Sequence, residues 1–279
     1  MLKNFYFCRI SFVINAKQAM TDNTVINVNI LNISHLLSKI EFFISSGIGF
    51  SVATLNLDHA VQLSKNSTFF SSYREQTLVT ADGWPIVGLG RLQGVKISRT
   101  TGADIVEPII ELLTKLGKSI AIVGTEKTAL EKAIGVLRAK HPTLAVSYTN
   151  SPPFAFDPLS DDAEQIVHEL AQSGAAVCFI ALGAPKQEIF AARAMKITPG
   201  IGYISVGAAI DFLANHQIRA PRWLQQLGLE WFWRLALNPR RLFWRYVKCA
   251  GILPVLLYEA LVQCVSKKIQ NGSQFANDH

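Results

Sequence analysis

The chain has 279 residues, 49% of them hydrophobic and 17% charged, with a formal net charge of +7. That length fits one large domain or two modest ones with a substantial core. The positive charge favours an anionic substrate or partner. The four cysteines show no metal-ligand spacing, so they argue against a zinc site and indicate a reducing compartment.

The two ends of the chain carry apolar runs that do not match a targeting or spanning segment. Residues 5–14 are interrupted by an arginine and lack a small-residue cleavage site, so no secretory signal is evident. We expect residues 1–24 to form a poorly ordered lead. Residues 249–265 contain Pro254 and Glu259 and are short for a span, which needs about 20 apolar residues. The sequence therefore predicts a protein that lies on a membrane and does not cross it.

Strands and helices alternate between residues 25 and 215. The predicted strands are residues 25–30, 50–55, 77–79, 119–123, 144–148, 176–182 and 202–206. Helical spacing fills the intervals, at residues 34–46, 61–69, 85–93, 102–116, 125–140, 160–173 and 186–195. Alternation at this spacing predicts an α/β domain over residues 25–215, with a mostly parallel sheet and helices on both of its faces.

The composition changes near Arg219. Residues 219–248 contain seven basic residues, one acid and four of the five tryptophans, with no strand pattern. Asn238-Pro239 is predicted to separate two helices. Tryptophan and arginine together suit a membrane–water interface, so residues 216–265 are predicted to form a membrane-associating helical appendage, followed by a polar tail at 266–279. The alternative is a helical hairpin docked on the sheet, with its tryptophans in the core.

Asp82 is the candidate catalytic residue. It follows the apolar run at 77–79 and precedes Gly83, where a strand ends and the backbone can bend. Parallel α/β enzymes place reacting groups outside the carboxyl ends of their strands. Arg99 follows as a fixed cation that can balance an anionic substrate. The alternative is that Asp82 only caps a turn or helix, a common role for aspartate.

Several common chemistries lack their sequence signatures. The glycines at 88, 90 and 94 lie within a helix pattern and do not follow a strand, so a nicotinamide oxidoreductase is poorly supported. The chain has no phosphate-binding loop of the form Gly-x-x-x-x-Gly-Lys-Ser or Gly-x-x-x-x-Gly-Lys-Thr, because Gly117-Lys118-Ser119 lacks the first glycine. It also has no Asp-x-Asp and no histidine pair at metal-ligand spacing. We therefore expect no cofactor and no metal site. If the protein is a nucleotide-sugar enzyme, it would have to stabilise the departing nucleoside diphosphate without a metal ion. Arginines and helix N-termini are the groups available for this.

Eight short motifs occur in one order along the chain. They are Thr54-x-Asn56, Ala81-Asp82-Gly83, Arg99-Thr100-Thr101-Gly102-Ala103-Asp104, Ser151-Pro152-Pro153-Phe154, residues 183–188 (Gly-Ala-Pro-Lys-Gln-Glu), residues 207–212, Arg219-Ala220-Pro221 and Gly228-Leu229-Glu230-Trp231. In this order they closely resemble the WecG/TagA/CpsF family of bacterial glycosyltransferases, over about residues 25–248. The resemblance implies a Rossmann-like fold with a C-terminal helical appendage. It also implies transfer of an N-acetylmannosamine-type sugar from a UDP-sugar to a polyprenyl-diphosphate-linked sugar, with inversion and without a metal.

The resemblance assigns a role to individual residues. Asp82 matches the general base that takes the proton of the acceptor hydroxyl. Phe154 lies in the loop expected to pack on uracil, and three arginines fall in the basic segment expected to close over the diphosphates. The substrate-binding residues implied are Thr54, Asn56, Arg99, Asp104, Phe154, Gln187, Asp211, Arg234, Arg241 and Arg245.

The sequence thus predicts a glycosyltransferase of cell-surface polysaccharide biosynthesis at the inner face of the bacterial membrane. Its expected partners are the UDP-sugar donor, the undecaprenyl-type acceptor and the membrane surface, and no nucleic acid. Whether it forms a homo-oligomer stays open. The alternative function is a non-catalytic nucleotide-binding scaffold of an envelope polysaccharide complex.

Overall fold

The computed structural model describes residues 10–13 and 25–277. The strands are β1 (Ile10–Val13), β2 (Val25–Val28), β3 (Phe50–Leu55), β4 (Leu78–Ala81), β5 (Ile120–Gly124), β6 (Val146–Asn150), β7 (Val177–Ala181) and β8 (Gly202–Ser205). Within the described residues, the last six form one sheet in the order β4-β3-β8-β7-β5-β6. All of its neighbouring strands run parallel, which confirms the predicted α/β fold.

Helices follow the strands and cover the sheet. They are α1 (Ile33–Ser45), α2 (Leu57–Leu63), α3 (Ser67–Arg74), α4 (Trp84–Leu92), α5 (Gly102–Lys115), α6 (Lys127–Lys140), α7 (Asp161–Gln172), α8 (Lys186–Ile197), α9 (Ala209–Leu213), α10 (Arg222–Gln226), α11 (Glu230–Leu237) and α12 (Pro239–Asn277). The single helix predicted over residues 61–69 is wrong. The chain forms two helices there, because Asn66 caps a new one by accepting a hydrogen bond from the Phe69 backbone.

The core consists of two apolar layers, one on each face of the sheet. On one face, side chains of α1, α5, α6 and α9 pack against the strands, with Ile109 and Ile122 fully buried. On the other face, α3, α4, α7 and α8 do the same, with Phe69 and Phe190 fully buried. Because both faces are covered, the central strands β3 and β5 are buried along their whole length and are mostly apolar, as parallel strands usually are.

The sheet has a crevice at its carboxyl edge between β5 and β7. The chain leaving β5 turns toward β6, whereas the chain leaving β7 turns toward β8 on the opposite side. Ligands of open parallel sheets bind at such switch points. Gly124 ends β5 with φ 119°, and a Cβ there would lie 2.4 Å from the Ala181 carbonyl carbon, so only glycine lets these strands approach.

The N-terminal lead contains a strand. Ile10–Val13 pairs antiparallel with Val25–Val28, although the sequence analysis placed residues 1–24 in a poorly ordered segment. The expectation for residues 1–9 and 14–24 lies outside the described residues. The strand β1 contacts α12, so this hairpin lies beside the C-terminal helices.

The C-terminal helix α12 packs along the body of the protein, against α2 and α4. Its buried side chains form one stripe, Leu242, Cys249, Leu256 and Ala260, and its boundary with α11 falls at the predicted Asn238-Pro239. The expectation that the apolar run is too short for a span is wrong. The helix continues through Pro254, and Leu242–Val265 is long and apolar enough to cross a membrane by length and composition alone.

Candidate active site

Asp82 lies at the carboxyl edge of the sheet, directly after β4. Its backbone N–H donates to the Leu55 carbonyl at 2.7 Å, which holds it beside the end of β3. Asn56 follows β3 and caps α2, because its Oδ1 accepts a hydrogen bond from the His59 backbone at 2.9 Å. The amide nitrogen of the same side chain then faces Asp82 and donates to its Oδ2 at 3.4 Å. Two consecutive strand ends therefore bring together two predicted site residues.

The carboxyl of Asp82 is partly buried. Burial raises its pKa from 3.8 to about 6, and the charge of Glu230 adds to this effect. The charge of Arg234, the hydrogen bond from Asn56 and the charge of Arg99 act in the opposite direction. A carboxylate with this pKa is ionised at neutral pH yet more basic than an ordinary aspartate, as general-base catalysis requires.

A network of arginines and carboxylates joins the sheet edge to the C-terminal helices. Arg99 lies 3.7 Å from Asp104 and 3.4 Å from Glu230. Glu230 also pairs with Arg234 at 2.5 Å, one turn further along α11. Arg219 pairs with Asp104 at 2.5 Å. Three predicted residues, Arg99, Asp104 and Arg234, thus lie in one network together with two residues to which the sequence analysis gave no role.

The carboxyl of Asp104 serves this network as an anion. Burial opposes its ionisation, but the hydrogen bond and charge of Arg219 outweigh burial and hold its pKa below the ordinary value, with help from Thr101 and Arg99. Asp104 lies in the first turn of α5, where a negative charge is also favoured by the helix dipole. Its contacts are therefore those of a group that fixes the two arginines.

A second group of polar residues lines the crevice between β5 and β7. Thr125, which has φ 56°, donates its hydroxyl to Asp211 Oδ1, and Gln217 donates to the other carboxylate oxygen at 3.0 Å. Ser151 donates to the Thr125 carbonyl at 2.7 Å. The predicted residue Asp211 therefore lies at the switch point, apart from the network around Asp82.

The loop that carries Phe154 lies at the edge of this crevice. The Phe154 side chain is 99% exposed. Lys186, at the start of α8, donates to the Phe154 carbonyl at 2.7 Å and lies 5.5 Å from the centre of its ring. An aromatic ring that has a lysine amine near it and is otherwise open to solvent can pack against a planar ligand.

Gln187, which the resemblance assigns to substrate binding, lies buried between two loops. It is 3% exposed. Its Oε1 accepts from the Gly207 backbone at 3.0 Å, and its Nε2 donates to Glu188 at 2.8 Å. The amide therefore ties the loop after β7 to the loop after β8. Burial raises the pKa of Glu188 to about 7, and its side chain is fully buried.

Thr54 and Arg245 lie on either side of α2. Thr54 is 5% exposed at the end of β3, and its backbone makes a hydrogen bond with the buried His59 ring. Arg245 of α12 pairs with Asp58 of α2 at 2.9 Å and is not part of the network around Arg99. The predicted residue Arg241 belongs to α12, and its side chain lies outside the part of the structure that is described.

Among the described residues, no group of three or more histidine, cysteine, aspartate or glutamate side chains is arranged to hold a metal ion. The positive charge near Asp82 comes from arginine side chains, Arg99 and Arg234. Their fixed charge and planar donors suit phosphate groups.

Three residues that form ion pairs with the predicted site residues had no predicted role. Glu230 and Arg219 lie in quoted motifs but received no role, and Asp58 received none either. The available signal was charge pattern, since Glu230 is the one acid among the basic residues of 219–248. An acid retained there indicates an ion pair, but its partner 131 residues away cannot be read from sequence.

A parallel sheet with a partly buried aspartate at its carboxyl edge, faced by Arg99 from the sheet edge and Arg234 from α11, defines a Rossmann-like group-transfer enzyme. The family model for the glycosyl transferase WecG/TagA/CpsF family matches residues 22–270. The chain therefore belongs to this family and is a glycosyltransferase, which confirms the resemblance inferred from the motifs. The chain is also similar to the N-acetylglucosaminyldiphosphoundecaprenol N-acetyl-beta-D-mannosaminyltransferase of Bacillus subtilis (strain 168), with 26% identity over 238 residues, 84% of this chain and 89% of the relative.

Proposed function

We propose that this protein transfers an N-acetylmannosamine-type sugar from a UDP-sugar to a polyprenyl-diphosphate-linked sugar, with inversion and without a metal ion. The similarity to the N-acetylmannosaminyltransferase of Bacillus subtilis supports this sugar and this class of acceptor. The observation that carries the proposal is the position of Asp82, a carboxyl with a pKa of about 6 at the sheet edge, among arginines.

In the proposed reaction, Asp82 acts as the general base. Its ionised carboxylate takes the proton of the acceptor hydroxyl while the hydroxyl oxygen attacks the anomeric carbon. The bond between that carbon and the diphosphate oxygen breaks, and UDP leaves with the bonding electron pair. Attack on the face opposite the leaving group inverts the anomeric carbon. Asn56, which donates to Asp82, orients the carboxylate and favours its ionised form.

The donor's diphosphate is proposed to lie against Arg99 and Arg234. Their guanidinium groups would neutralise the charge that develops on the departing UDP, the part that a divalent ion plays in many sugar-nucleotide enzymes. The nucleoside would extend toward the crevice between β5 and β7, where Asp211 offers carboxylate acceptors and Phe154 an exposed ring. Switch-point crevices commonly hold nucleotides, which supports this direction.

The C-terminal helices are proposed to bind the cytoplasmic face of the membrane. Trp223, Trp231 and Trp244 are 60%, 46% and 66% exposed, contrary to the alternative that placed the tryptophans in the core. Because α12 packs on the body through one stripe, its opposite apolar face is free to enter the headgroup region. A helix docked along its length fits a position in the membrane plane better than a span, although Leu242–Val265 is long enough to cross.

The deciding experiment is an assay of UDP release from UDP-N-acetylmannosamine with an N-acetylglucosaminyl-diphospho-undecaprenyl-type acceptor, in EDTA. We expect release only when donor and acceptor are both present, and an inverted linkage in the product. Turnover that needs an added divalent ion would refute the metal-independent part. UDP release without product, or none with any UDP-sugar, would refute the proposed reaction.

A further inference from the structure

Glu230, the first residue of α11, lies between two guanidinium groups. Its Oε1 accepts from Arg234 Nη2 at 2.5 Å, and its Oε2 accepts from Arg99 Nη1 at 3.4 Å. The side chains of Glu230 and Arg99 are only 15% and 17% exposed. One arginine comes from the sheet edge and the other from the C-terminal helices, so a single carboxylate bridges the two parts of the site.

The two guanidinium groups around the Glu230 carboxylate could equally bind a phosphate. Planar guanidinium groups bind carboxylate and phosphate oxygens with the same donor geometry. The two arginines are also the cations that act on Asp82, so they are at the place where the proposed function puts the diphosphate. A diphosphate and the Glu230 carboxylate would repel each other there and compete for the same donors.

We propose that Glu230 stands in for the diphosphate, and that substrate binding displaces its carboxylate from Arg99 and Arg234. The proposal rests on the proposed function, which places a nucleoside diphosphate at this site. Glu230 is accordingly a positioning residue: it holds both arginines at one carboxylate and releases them when the substrate arrives. The cost of displacing it lowers the affinity for diphosphate and eases the release of UDP.

The contacts around Glu230 allow this exchange without undocking α11. Arg99 keeps Asp104 as a second carboxylate, and Asp104 is itself fixed by Arg219. The turn before α11 remains packed, because Gly228 lies so close to the Trp84 ring that a Cβ would approach it to 2.5 Å. The helix is therefore held by contacts that do not involve the Glu230 carboxylate.

The test compares Glu230→Gln with the wild type by calorimetric binding of three probes: pyrophosphate, UDP and uridine. We expect pyrophosphate and UDP to bind about three- to tenfold more tightly to the variant, the range for removing a partly exposed competing ion pair. Uridine, which carries no phosphate, should bind equally to both proteins. Glu107→Gln is the matched control, since Glu107 also pairs with basic side chains, Lys140 and His141, but on α5 away from the site.

A pH profile tests whether the charge of Glu230 acts on Asp82 in the folded protein. Asp82 is faced by Glu230, whose charge raises its pKa, and by Arg234, Arg99 and Asn56, which lower it; Tyr73 also lies within electrostatic range. In Glu230→Gln the acid limb of kcat/KM should therefore move to lower pH. An unmoved limb would show that the Glu230 carboxylate does not act on Asp82. The pyrophosphate titration, and not this profile, distinguishes exchange from a purely structural tether.

Unchanged or weaker pyrophosphate binding by folded Glu230→Gln would overturn the proposal. A thermal melt checks folding, and if the glutamine variant is unfolded, Glu230→Asp carries the test. Its shorter carboxylate reaches the arginines less well, so pyrophosphate should still bind more tightly than to the wild type, and equal binding would overturn the proposal. If UDP binds neither protein while pyrophosphate shows the expected gain, the exchange stands and the UDP donor is refuted. If UDP binds both and pyrophosphate shows no gain, the donor stands and the exchange is refuted.

Discussion

Asn56 Nδ2 donates to Asp82 Oδ2 at 3.4 Å while Asn56 Oδ1 accepts the backbone N–H of His59 at 2.9 Å. The helix cap fixes which end of the amide faces the aspartate, because only the oxygen can accept from the backbone. The helix cap thus determines that Asn56 presents a hydrogen-bond donor, and not an acceptor, to the proposed base. Asn56 therefore caps a helix and also orients a carboxylate. A substitution that keeps the cap but removes the donor to Asp82 tests the second role alone.

Asn56→Asp is such a substitution. Aspartate caps helices as well as asparagine does, so α2 should remain intact. The second carboxylate replaces a donor with a like charge, which should raise the pKa of Asp82 further above 6. We expect the acid limb of kcat/KM, near pH 6 in the wild type, to move up by about one unit and activity at pH 7 to fall.

The matched control is Asn66→Asp. Asn66 caps α3 in the same way, by accepting from the Phe69 backbone at 2.9 Å, and makes no contact with Asp82. Its variant should leave the pH profile unchanged. A profile for Asn56→Asp that also coincides with the wild type would show that the amide does not act on the base.

Asp82→Asn should remove the base while keeping the shape of the side chain. Turnover should fall about 10²- to 10⁴-fold, the usual contribution of a general base. UDP binding should be retained, because the arginines and the β5–β7 crevice are untouched. The control Asp162→Asn changes an exposed carboxyl at the start of α7 and should keep full turnover. Wild-type turnover by Asp82→Asn, measured as UDP release, would reject its assigned role.

The sequence was most informative where function depends on strand ends. Asn56 and Asp82 each follow an apolar strand, and the parallel pairing of β3 and β4 brings both to one edge, as alternation predicts. Contacts across the chain were not predictable. The Arg99–Glu230 pair depends on how α11 docks, which no local pattern encodes. The burial of Gln187 was hidden for a similar reason, since its partner Gly207 belongs to another strand's loop.

The C-terminal helix was misjudged because its apolar run was taken to begin at residue 249, which made it short for a span, and because Pro254 and Glu259 were counted against it. Arg245 interrupts the apolar run in sequence, yet its guanidinium pairs with Asp58 of α2. The exposed face of α12 opposite the buried stripe stays apolar, with Phe243, Trp244, Val247 and Val255 on it. An apolar run ends at a charge in the sequence, but an apolar helix face does not when the charge lies on the docked side.

Glu188 should make stability depend on pH. Burial raises its pKa from 4.5 to about 7, so between these values the folded state binds more protons than the unfolded state. The free energy of unfolding must then fall as pH rises through that window, in total by on the order of 3 kcal/mol from this group. His59, whose pKa burial lowers to about 4, contributes the opposite slope between about 4 and 6.5.

Glu188→Gln isolates the contribution of Glu188 to the pH dependence of stability. The contributions of the other titrating groups are the same in the variant and the wild type, so they cancel in the difference. The glutamine oxygen can still accept from Gln187, whereas the charge is gone. We expect near-equal urea stability at pH 4.5 and a more stable variant at pH 8. The control Glu131→Gln changes an exposed residue of α6 and should show no such difference. A constant difference across pH would show that Glu188 is not the titrating group.

Trp244→Glu should weaken membrane binding. Trp244 is 66% exposed on α12 and carries no part of the docked stripe, so the substitution should leave the fold intact. A charge in place of an indole ring at headgroup depth opposes insertion, and we expect binding to anionic vesicles to drop by about tenfold in a sedimentation assay. Turnover should fall with a membrane-embedded acceptor and stay unchanged with a short, water-soluble acceptor analogue, because the base and arginines are untouched.

Ile48→Glu provides the control for this loss. Ile48 is 49% exposed but precedes β3, at the amino edge of the sheet and opposite the proposed site. The same added charge there should leave vesicle binding close to that of the wild type. An equal loss in both variants would attribute the effect to net charge, and no loss in Trp244→Glu would remove α12 from the membrane contact. Loss in Trp244→Glu alone places the headgroup contact on the face of α12 that lies opposite its docked stripe.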